Sequence, residues 1–231
     1  MFIKNVELIV LDLDGTIADT APDIRESLNL ALCKWGLSPY PLAEVKRFIG
    51  NGVRVLAKRA LDGRKEELFA AGFPDGGNNP ELLNRFISDH MFYYDTNDNA
   101  RTLLYEGVLE FLTGATIPLA VLTNKPGVAT MRFLDHFKIA DCFAIVCHAD
   151  NVAAHKPDPA GLQQIMQTLH ISPAHTLMVG DGVPDIEVAK AAGTRSVALL
   201  QGNTGEADLR RMHPDWMVAT FAEFTTLFFE G

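Results

Sequence analysis

The sequence predicts an α/β protein whose doubly wound, mainly parallel sheet is interrupted after its first strand by an all-helical insert. The first observation is that, beyond about residue 100, short runs rich in Val, Leu and Ile alternate with segments of helical period. Continuous apolar strands separated by helices indicate a parallel sheet covered on both faces. The second observation is that residues 17–95 show helical periodicity and no convincing strand. The chain is therefore expected to contain one sheet and one helical segment.

The chain begins with an apolar strand at residues 7–12 and then changes to a helical pattern. Residues 23–35 place Ile24 and Leu28 on one helical face, and Gly36 can end that helix. Three more helices are predicted in the insert, at residues 42–49, 53–61 and 80–94. The stretch 62–79 runs into GFPDGGNNP, whose Gly, Asn and Pro content indicates a loop.

The second part of the chain supplies the rest of the predicted sheet. Strands are predicted at residues 118–123, 143–147, 176–180 and 195–200, and helices at 126–137, 159–169, 184–192 and 221–229. The strand at 7–12 has the same apolar character as these strands, so we expect it in the same sheet although the insert separates it from them.

The composition is typical of a globular protein that binds neither nucleic acid nor membrane. The 231 residues are 48% hydrophobic, and the net charge of −9 argues against a large footprint on nucleic acid or an anionic membrane. No apolar run approaches the length of a membrane span, and the first strand begins too close to Met1 for a signal peptide. Cys33, Cys142 and Cys147 lack CxxC spacing, which favours free thiols in a reducing cytoplasm. We therefore expect a cytoplasmic location.

Two aspartates follow the first strand, one residue apart. Asp12 and Asp14 of LDLDGT share one side of an extended backbone, where two carboxylates repel each other. A strand that simply stops at an Asp14-Gly15 turn would have the same sequence. The hexapeptide alone therefore leaves a turn and a functional site equally open.

Polar residues also follow the other predicted strands. Thr123 and Asn124 end one strand, and Asp181 and Asp185 of GDGVPD follow another. Lys156 of HKPDP lies between the strand at 143–147 and the next helix. Because ligands in such folds bind at the carboxyl ends of the strands, we expect these groups to share one edge of the sheet.

Several carboxylates beside one lysine would be costly without a cation. Their hard oxygen atoms favour Mg²⁺, which prefers one or two carboxylates together with water and phosphate oxygens. Such a site suits a phosphoryl group: one carboxylate can attack phosphorus, and a neighbouring acid can move the proton of the leaving group and later activate water.

The motifs DLDGT, TN, KPDP and GDGVPD, in this order, resemble those of the haloacid dehalogenase superfamily, in its phosphatase branch. The resemblance spans the whole chain, and the helical insert is similar to that family's small helical cap. It implies a Rossmann-like catalytic core formed by residues 1–16 and 96–231 and a cap formed by residues 17–95. It also implies hydrolysis in two steps through a phosphoaspartate.

The resemblance assigns roles to the four acids. Asp12 corresponds to the nucleophile, which is also a Mg²⁺ ligand. Asp14 corresponds to the general acid and base, and its backbone carbonyl is expected to bind the metal. Asp181 matches the metal-binding acid of the last motif. Asp185 matches a supporting acid that reaches the metal through water.

The resemblance also assigns the phosphate site. Thr123 corresponds to the phosphate-binding hydroxyl and Asn124 to its amide neighbour. Lys156 corresponds to the lysine that balances charge and binds phosphate. The presence of Asp14 favours ester hydrolysis over dehalogenation, which needs no acid at this position, and over phosphonate cleavage, in which a small residue usually replaces it.

Further stretches, among them LDLDGTIADTAPDI, FIGNGVRVLAKRAL and VLTNKPG, resemble phosphoglycolate phosphatases in particular. A two-carbon phosphate with a carboxylate needs one more donor besides the phosphate site. Asn51 and Gly52, with Gly50, can offer backbone donors, and Arg54 can pair with the carboxylate. Lys125 beside the TN motif is a second candidate cation. The long loop at 62–79 and the glycine after Asp181 depart from many relatives.

The function predicted from the sequence is therefore Mg²⁺-dependent hydrolysis of small phosphorylated metabolites, with 2-phosphoglycolate preferred. A sugar-phosphate phosphatase and a phosphomutase similar to β-phosphoglucomutase stay open, because both keep the two aspartates of the first motif. A non-catalytic phosphate-binding module is less favoured, since such proteins tend to lose an acid or the lysine and none is lost here. A receiver-like signalling domain shares strand-end aspartates and a lysine but would not carry DxD with an inserted helical cap, so it is less favoured as well. We expect a monomer or a homodimer.

Overall fold

The structure is a computed structural model that describes residues 3–73 and 78–229. The chain forms two compact units, one of Met1–Asp19 with Leu103–Gly231 and the other of Thr20–Thr102. Both divisions fall later in the chain than the boundaries expected from the sequence. Two short strands, β2 (Ala18–Asp19) and β3 (Leu103–Leu104), pair with each other in antiparallel register. Both strands belong to the first unit and lie at its two boundaries.

The first unit, which we call the α/β unit, contains a six-stranded sheet in the order β5-β4-β1-β6-β7-β8. All neighbouring strands in it are parallel. Its strands are β1 (Leu8–Leu11), β4 (Leu119–Leu122), β5 (Ile145–Cys147), β6 (Thr176–Gly180), β7 (Arg195–Leu199) and β8 (Trp216–Val218). The sheet grows outward in both directions from β1, which confirms the predicted doubly wound, mainly parallel fold.

Helices cover both faces of this sheet because successive strand residues point to opposite sides. Ile9 and Leu11 belong to one apolar core, and Leu8 and Val10 belong to another. The helices of the unit are α6 (Val108–Gly114), α7 (Gly127–His136), α8 (Ala160–Leu169), α9 (Val183–Ala192), α10 (Glu206–Arg211) and α11 (Phe221–Phe229). Buried residues of α6, α7 and α11 join the first core, and those of α8 and α9 join the second.

The second unit, which we call the helical unit, contains α1 (Ala21–Lys34), α2 (Leu42–Lys46), α3 (Val53–Asp62), α4 (Lys65–Ala70) and α5 (Pro80–Thr96). Its longest helices, α1 and α5, pack against each other. Helix α4 occupies the first part of the stretch 62–79. The rest of the predicted loop GFPDGGNNP includes residues 74–77, which lie outside the described residues.

The prediction of no strand within residues 17–95 was wrong at one place. Strand β2 lies there, and it is only two residues long. A strand of this length has no detectable alternation, and only its partner β3, far along the chain, defines it. Among the described helices, none is both long enough and apolar enough to cross a membrane.

Candidate active site

The carboxyl edge of the sheet carries the predicted motif residues of the α/β unit. Asp12 directly follows β1, and its backbone N–H donates to Val179 O on the neighbouring strand at 3.0 Å. Thr123 directly follows β4, and its N–H donates to Cys147 O at 3.0 Å. Asp181 directly follows β6. Because each residue continues the register of a parallel strand, sheet geometry brings these three motifs together.

Lys156 connects two of the predicted acids. Its Nζ lies 2.9 Å from Asp12 Oδ1 and 2.6 Å from Asp185 Oδ1. All three side chains are buried, the lysine side chain being only 2% exposed. The other oxygen of Asp185 accepts the Gly182 N–H at 2.8 Å, at the N-terminus of α9. The lysine therefore holds the nucleophile candidate and the supporting acid in one buried cluster.

Asn124 fixes the backbone of this lysine. Its Nδ2 donates to Lys156 O at 3.0 Å, and its Oδ1 accepts the Lys156 N–H at 2.9 Å. These reciprocal bonds link the loop after β4 to the loop after β5. The structure thus joins Asn124 to Lys156, a pairing that the spacing of the two motifs in the sequence does not reveal.

Two residues that were not predicted from the sequence, Thr16 and Asn203, bind the carboxylate of Asp181. Thr16 Oγ1 donates to Asp181 Oδ1 at 3.0 Å, and the Asn203 backbone N–H donates to Asp181 Oδ2 at 2.7 Å. Thr16 belongs to the tight turn after β1, in which Gly15 has a φ of +89°. Asn203 belongs to the loop after β7. The feature of the sequence that could have identified Asn203 is the Gly-Asn-Thr-Gly composition of this loop, which follows a buried strand.

Three glycines leave room for the acids. A Cβ added at Gly15 or Gly202 would overlap the Asp181 side chain, and one added at Gly180 would overlap Asp185. Only a residue without a side chain fits so close to these carboxylates.

Asp14 has its own buried lysine. Lys125 Nζ donates to Asp14 Oδ1 at 2.8 Å, and the two side chains are 4% and 13% exposed. From the sequence, Lys125 is expected only as a candidate partner for a substrate carboxylate. The structure instead shows two separate ion pairs, one between Lys156 and Asp12 and the other between Lys125 and Asp14.

The electrostatics of the site are those of crowded buried carboxylates. Burial raises the pKa of Asp12 to about 6. The charge of Lys156 opposes this rise, and the charges of Asp185 and Asp14 add to it. Burial and the charges of Asp12 and Asp185 raise the pKa of Asp181 well above its ordinary value. The pKa of Lys156 is also raised, because its two aspartate partners outweigh the cost of burying its charge. The protein thus holds acids where their ionised forms are costly.

These residues fit a hard divalent cation. Asp12, Asp181 and Asp185 each offer a carboxylate oxygen, and the three oxygens lie within 4.8 Å of one another. When all are ionised, the four acids of the site outnumber its two lysines by two charges, which one divalent cation would balance. Asp12 Oδ1 is buried and has no hydrogen-bond partner of good geometry among the residues that the structure describes, although Lys156 Nζ lies 2.9 Å from it. All-oxygen donor sets of this kind are typical of Mg²⁺ sites.

The predicted specificity residues Asn51, Gly52 and Arg54 lie in the helical unit. Gly52, with a φ of +84°, immediately precedes α3. Asn51 Oδ1 accepts Arg59 Nη2 at 3.0 Å, and Arg54 Nη1 donates to Asn84 Oδ1 at 2.7 Å. Arg59 also donates to the carbonyl of Phe48, so it ties this loop to α3.

The doubly wound sheet carries acids, a lysine and a hydroxyl at its carboxyl edge, which is where ligands bind in folds of this class. The chain belongs to the haloacid dehalogenase-like hydrolases, whose family model matches residues 9–199. The resemblance inferred from the four motifs is thereby confirmed.

Individual proteins are similar over most of the chain. The phosphoglycolate phosphatase of Psychrobacter arcticus is 31% identical over 96% of this chain and 94% of its own length. That of Cereibacter sphaeroides is 38% identical over 84% of this chain and 85% of its own length. The crystal structure of a predicted phosphoglycolate phosphatase from Haemophilus somnus superimposes with a TM-score of 0.88 at 29% identity, covering 97% of this chain and 99% of that one.

Proposed function

We propose that this protein is a Mg²⁺-dependent phosphatase that hydrolyses small phosphate monoesters through a phosphoaspartate on Asp12. The observation that carries the proposal is the placement of Asp12. It is buried at the end of the central strand, 2.9 Å from a buried lysine and grouped with two further acids. Family membership and the phosphoglycolate phosphatase relatives support the same reaction class.

The first step forms the phosphoaspartate. A carboxylate oxygen of Asp12 attacks phosphorus, and the bond from phosphorus to the ester oxygen breaks. Asp14, two residues further on, gives its proton to that oxygen, so that an alcohol leaves rather than an alkoxide. Thr123 and Lys156 hold the non-bridging phosphate oxygens by hydrogen bonding and charge. Asn124 acts through Lys156, whose backbone it fixes.

The second step returns the enzyme to its starting state. Asp14, now ionised, takes a proton from water while the water oxygen bonds to phosphorus. The bond between phosphorus and the Asp12 oxygen breaks and releases inorganic phosphate. Each acid thus recovers its original protonation state.

The cation would be held by Asp12, Asp181 and the backbone carbonyl of Asp14, with Asp185 acting through water. When bound, Mg²⁺ neutralises the negative charge of the phosphate and of the carboxylates around it, so that an anionic nucleophile can approach an anionic substrate. Thr16 and the Asn203 N–H then serve to orient Asp181.

We further propose 2-phosphoglycolate as the preferred substrate, because several similar proteins are phosphoglycolate phosphatases. The helical unit would act as the cap that recognises the part of the substrate beyond the phosphate, through Asn51, Gly52 and Arg54. The cytoplasmic location and the monomeric or dimeric state stay predictions.

The test is phosphate release from a panel that contains 2-phosphoglycolate, hexose phosphates and nucleotides, with and without Mg²⁺. We expect 2-phosphoglycolate to give the highest kcat/KM and Asp12→Asn to abolish turnover of every substrate. The matched control is Asp135→Asn, an exposed aspartate on α7, which should leave activity unchanged. Isomerised hexose phosphate without net phosphate release would show a phosphomutase instead.

A further inference from the structure

We propose that Lys125 is the positioning residue for Asp14, the acid that moves the proton in the proposed reaction. The inference rests on the proposed function and adds to it a residue outside the four motifs DLDGT, TN, KPDP and GDGVPD. Its basis is the 2.8 Å bond from Lys125 Nζ to Asp14 Oδ1, between two side chains that are 4% and 13% exposed. Charge-assisted bonds with so little access to water strongly restrict orientation.

The backbone of Lys125 is held in place on both sides. Its N–H donates to Thr123 Oγ1 at 3.3 Å, and its carbonyl accepts the Ala149 N–H at 3.1 Å. Thr130 Oγ1, on α7, donates to the same carbonyl at 3.4 Å. The lysine thus projects from a segment fixed by β4, the loop after β5 and α7. An ammonium group on such a rigid base can define where the Asp14 carboxylate lies.

Asp14 lies in a turn where its backbone carbonyl accepts Asn203 Nδ2 at 3.4 Å, and Lys125 restrains its side chain. Asp12 continues the register of β1 and bonds to Val179, whereas Asp14 precedes the positive-φ residue Gly15 in a turn. Lys156 is already engaged by Asp12 and Asp185. We therefore assign one lysine to each half of the chemistry: Lys156 to the nucleophile and Lys125 to the proton-transfer acid.

Leaving groups of different basicity test this assignment. An alkyl phosphate needs a proton on its leaving oxygen, whereas p-nitrophenolate leaves without one, so only alkyl substrates depend on the placement of Asp14. The comparison uses kcat/KM, which reports the steps through departure of the leaving group. The substrates are 2-phosphoglycolate, one alkyl phosphate without a carboxylate chosen from those that the wild type hydrolyses, and p-nitrophenyl phosphate.

For Lys125→Met we expect kcat/KM to fall about 10- to 100-fold on both alkyl phosphates and by less than about threefold on p-nitrophenyl phosphate. Lys125→Arg, which keeps the cation, should recover a large part of the loss. The matched control is Lys138→Met, the same change at an exposed lysine of the same unit. Retained activity on p-nitrophenyl phosphate also shows that the variant is folded.

Two results would overturn the proposal. An equal loss on all three substrates would assign Lys125 to the phosphate site or to the fold. A loss confined to 2-phosphoglycolate would make it a partner of the substrate carboxylate. Neither result resembles a failure of the proposed function, in which the wild type itself would release no phosphate from any of the three.

Discussion

At the scale of single residues, the site consists of charged side chains that are buried away from water. Asp12, Asp181 and Asp185 are almost fully buried and lie close together, and Lys156 offsets only part of their charge. The raised pKa values of Asp12 and Asp181 mean that their ionised forms destabilise the fold in the absence of a cation. This is the trade-off between stability and activity that the proposed catalytic role of these acids implies.

We predict that Asp12→Asn raises the stability of the metal-free protein while it abolishes activity. The folded-state pKa of Asp12 is raised to about 6, so the cost of its charge is fully present above that pH and disappears as the pH falls below the ordinary value of 3.8. The midpoint of thermal unfolding in EDTA should therefore rise by a few degrees at about pH 8, and by less at about pH 4.

The Asp135→Asn variant, measured in the same buffers, is the control for this gain. A midpoint for Asp12→Asn that lies below that of the wild type at about pH 8 would contradict the prediction. In that case the ion pair with Lys156 would stabilise the fold by more than is gained when the buried and repelled charge of Asp12 is removed.

At the scale of elements, the site depends on loops that follow strands and are rich in glycine. The turn after β1, the last residue of β6 and the loop after β7 all approach Asp181 or Asp185 so closely that a side chain at Gly15, Gly180 or Gly202 would overlap them. Strands alone place the acids at one edge, and these loops decide how the carboxylates are held there.

The loop after β7 allows a matched pair of variants. At Gly202 an added Cβ would overlap the side chain of Asp181, whereas at Gly205 its nearest contact is Asp208 at 4.0 Å. We therefore expect Gly202→Ala to lower kcat/KM by about 10- to 100-fold by displacing Asp181, an acid that we propose binds the metal. Gly205→Ala should stay within about twofold of the wild type, because a new methyl group fits there without strain.

Steady-state kinetics at several Mg²⁺ concentrations measure this effect. The Gly202→Ala variant should also need more Mg²⁺ for half-maximal activity. Equal behaviour of the two alanine variants would mean that Asp181 tolerates displacement, and the proposed role of this loop would be wrong.

At the scale of the whole molecule, the fold brings together charges from distant parts of the chain. Asp12 and Asp181 share the cluster of carboxylate oxygens although most of the sequence separates them. A bound cation would therefore link loops that follow different strands of the sheet. Ligands that bind only the folded state increase its stability by mass action.

We predict that Mg²⁺ raises the midpoint of thermal unfolding of the wild type and has little effect on Asp181→Asn. At about 100 times its dissociation constant, the cation should add about 2.7 kcal/mol to the free energy of unfolding. Differential scanning calorimetry in EDTA and in Mg²⁺ measures the shift, with Asp135→Asn as the control. An equal shift in the wild type and Asp181→Asn would show that the cation binds elsewhere.

The predictability of the fold followed the length of each element. The strands at β1, β4, β6 and β7 and the helices α7, α8 and α9 were predicted to within a residue or two, because each has a continuous apolar pattern. The pair β2–β3, the strand β8 and the helices α6 and α10 were missed. They span only two to seven residues, and the pairing partners of the three short strands define them more than their own sequence does. The strand β5 is also short, but it was predicted because it lies in the apolar run at residues 143–147.

The sequence by itself determined which polar groups lie at the carboxyl edge of the sheet. The sequence was enough to identify these groups, because the residues that follow parallel strands lie at one edge of the sheet. They are the acids at 12, 14, 181 and 185, the lysine at 156 and the hydroxyl at 123. Only the tertiary structure decided how these groups pair. Three pairings depend on contacts between loops that are far apart in the chain. They are those of Lys125 with Asp14, of Asn124 with Lys156, and of Asp181 with Thr16 and Asn203. Hydropathy and spacing describe one segment at a time, whereas hydrogen bonds between loops depend on where several segments meet.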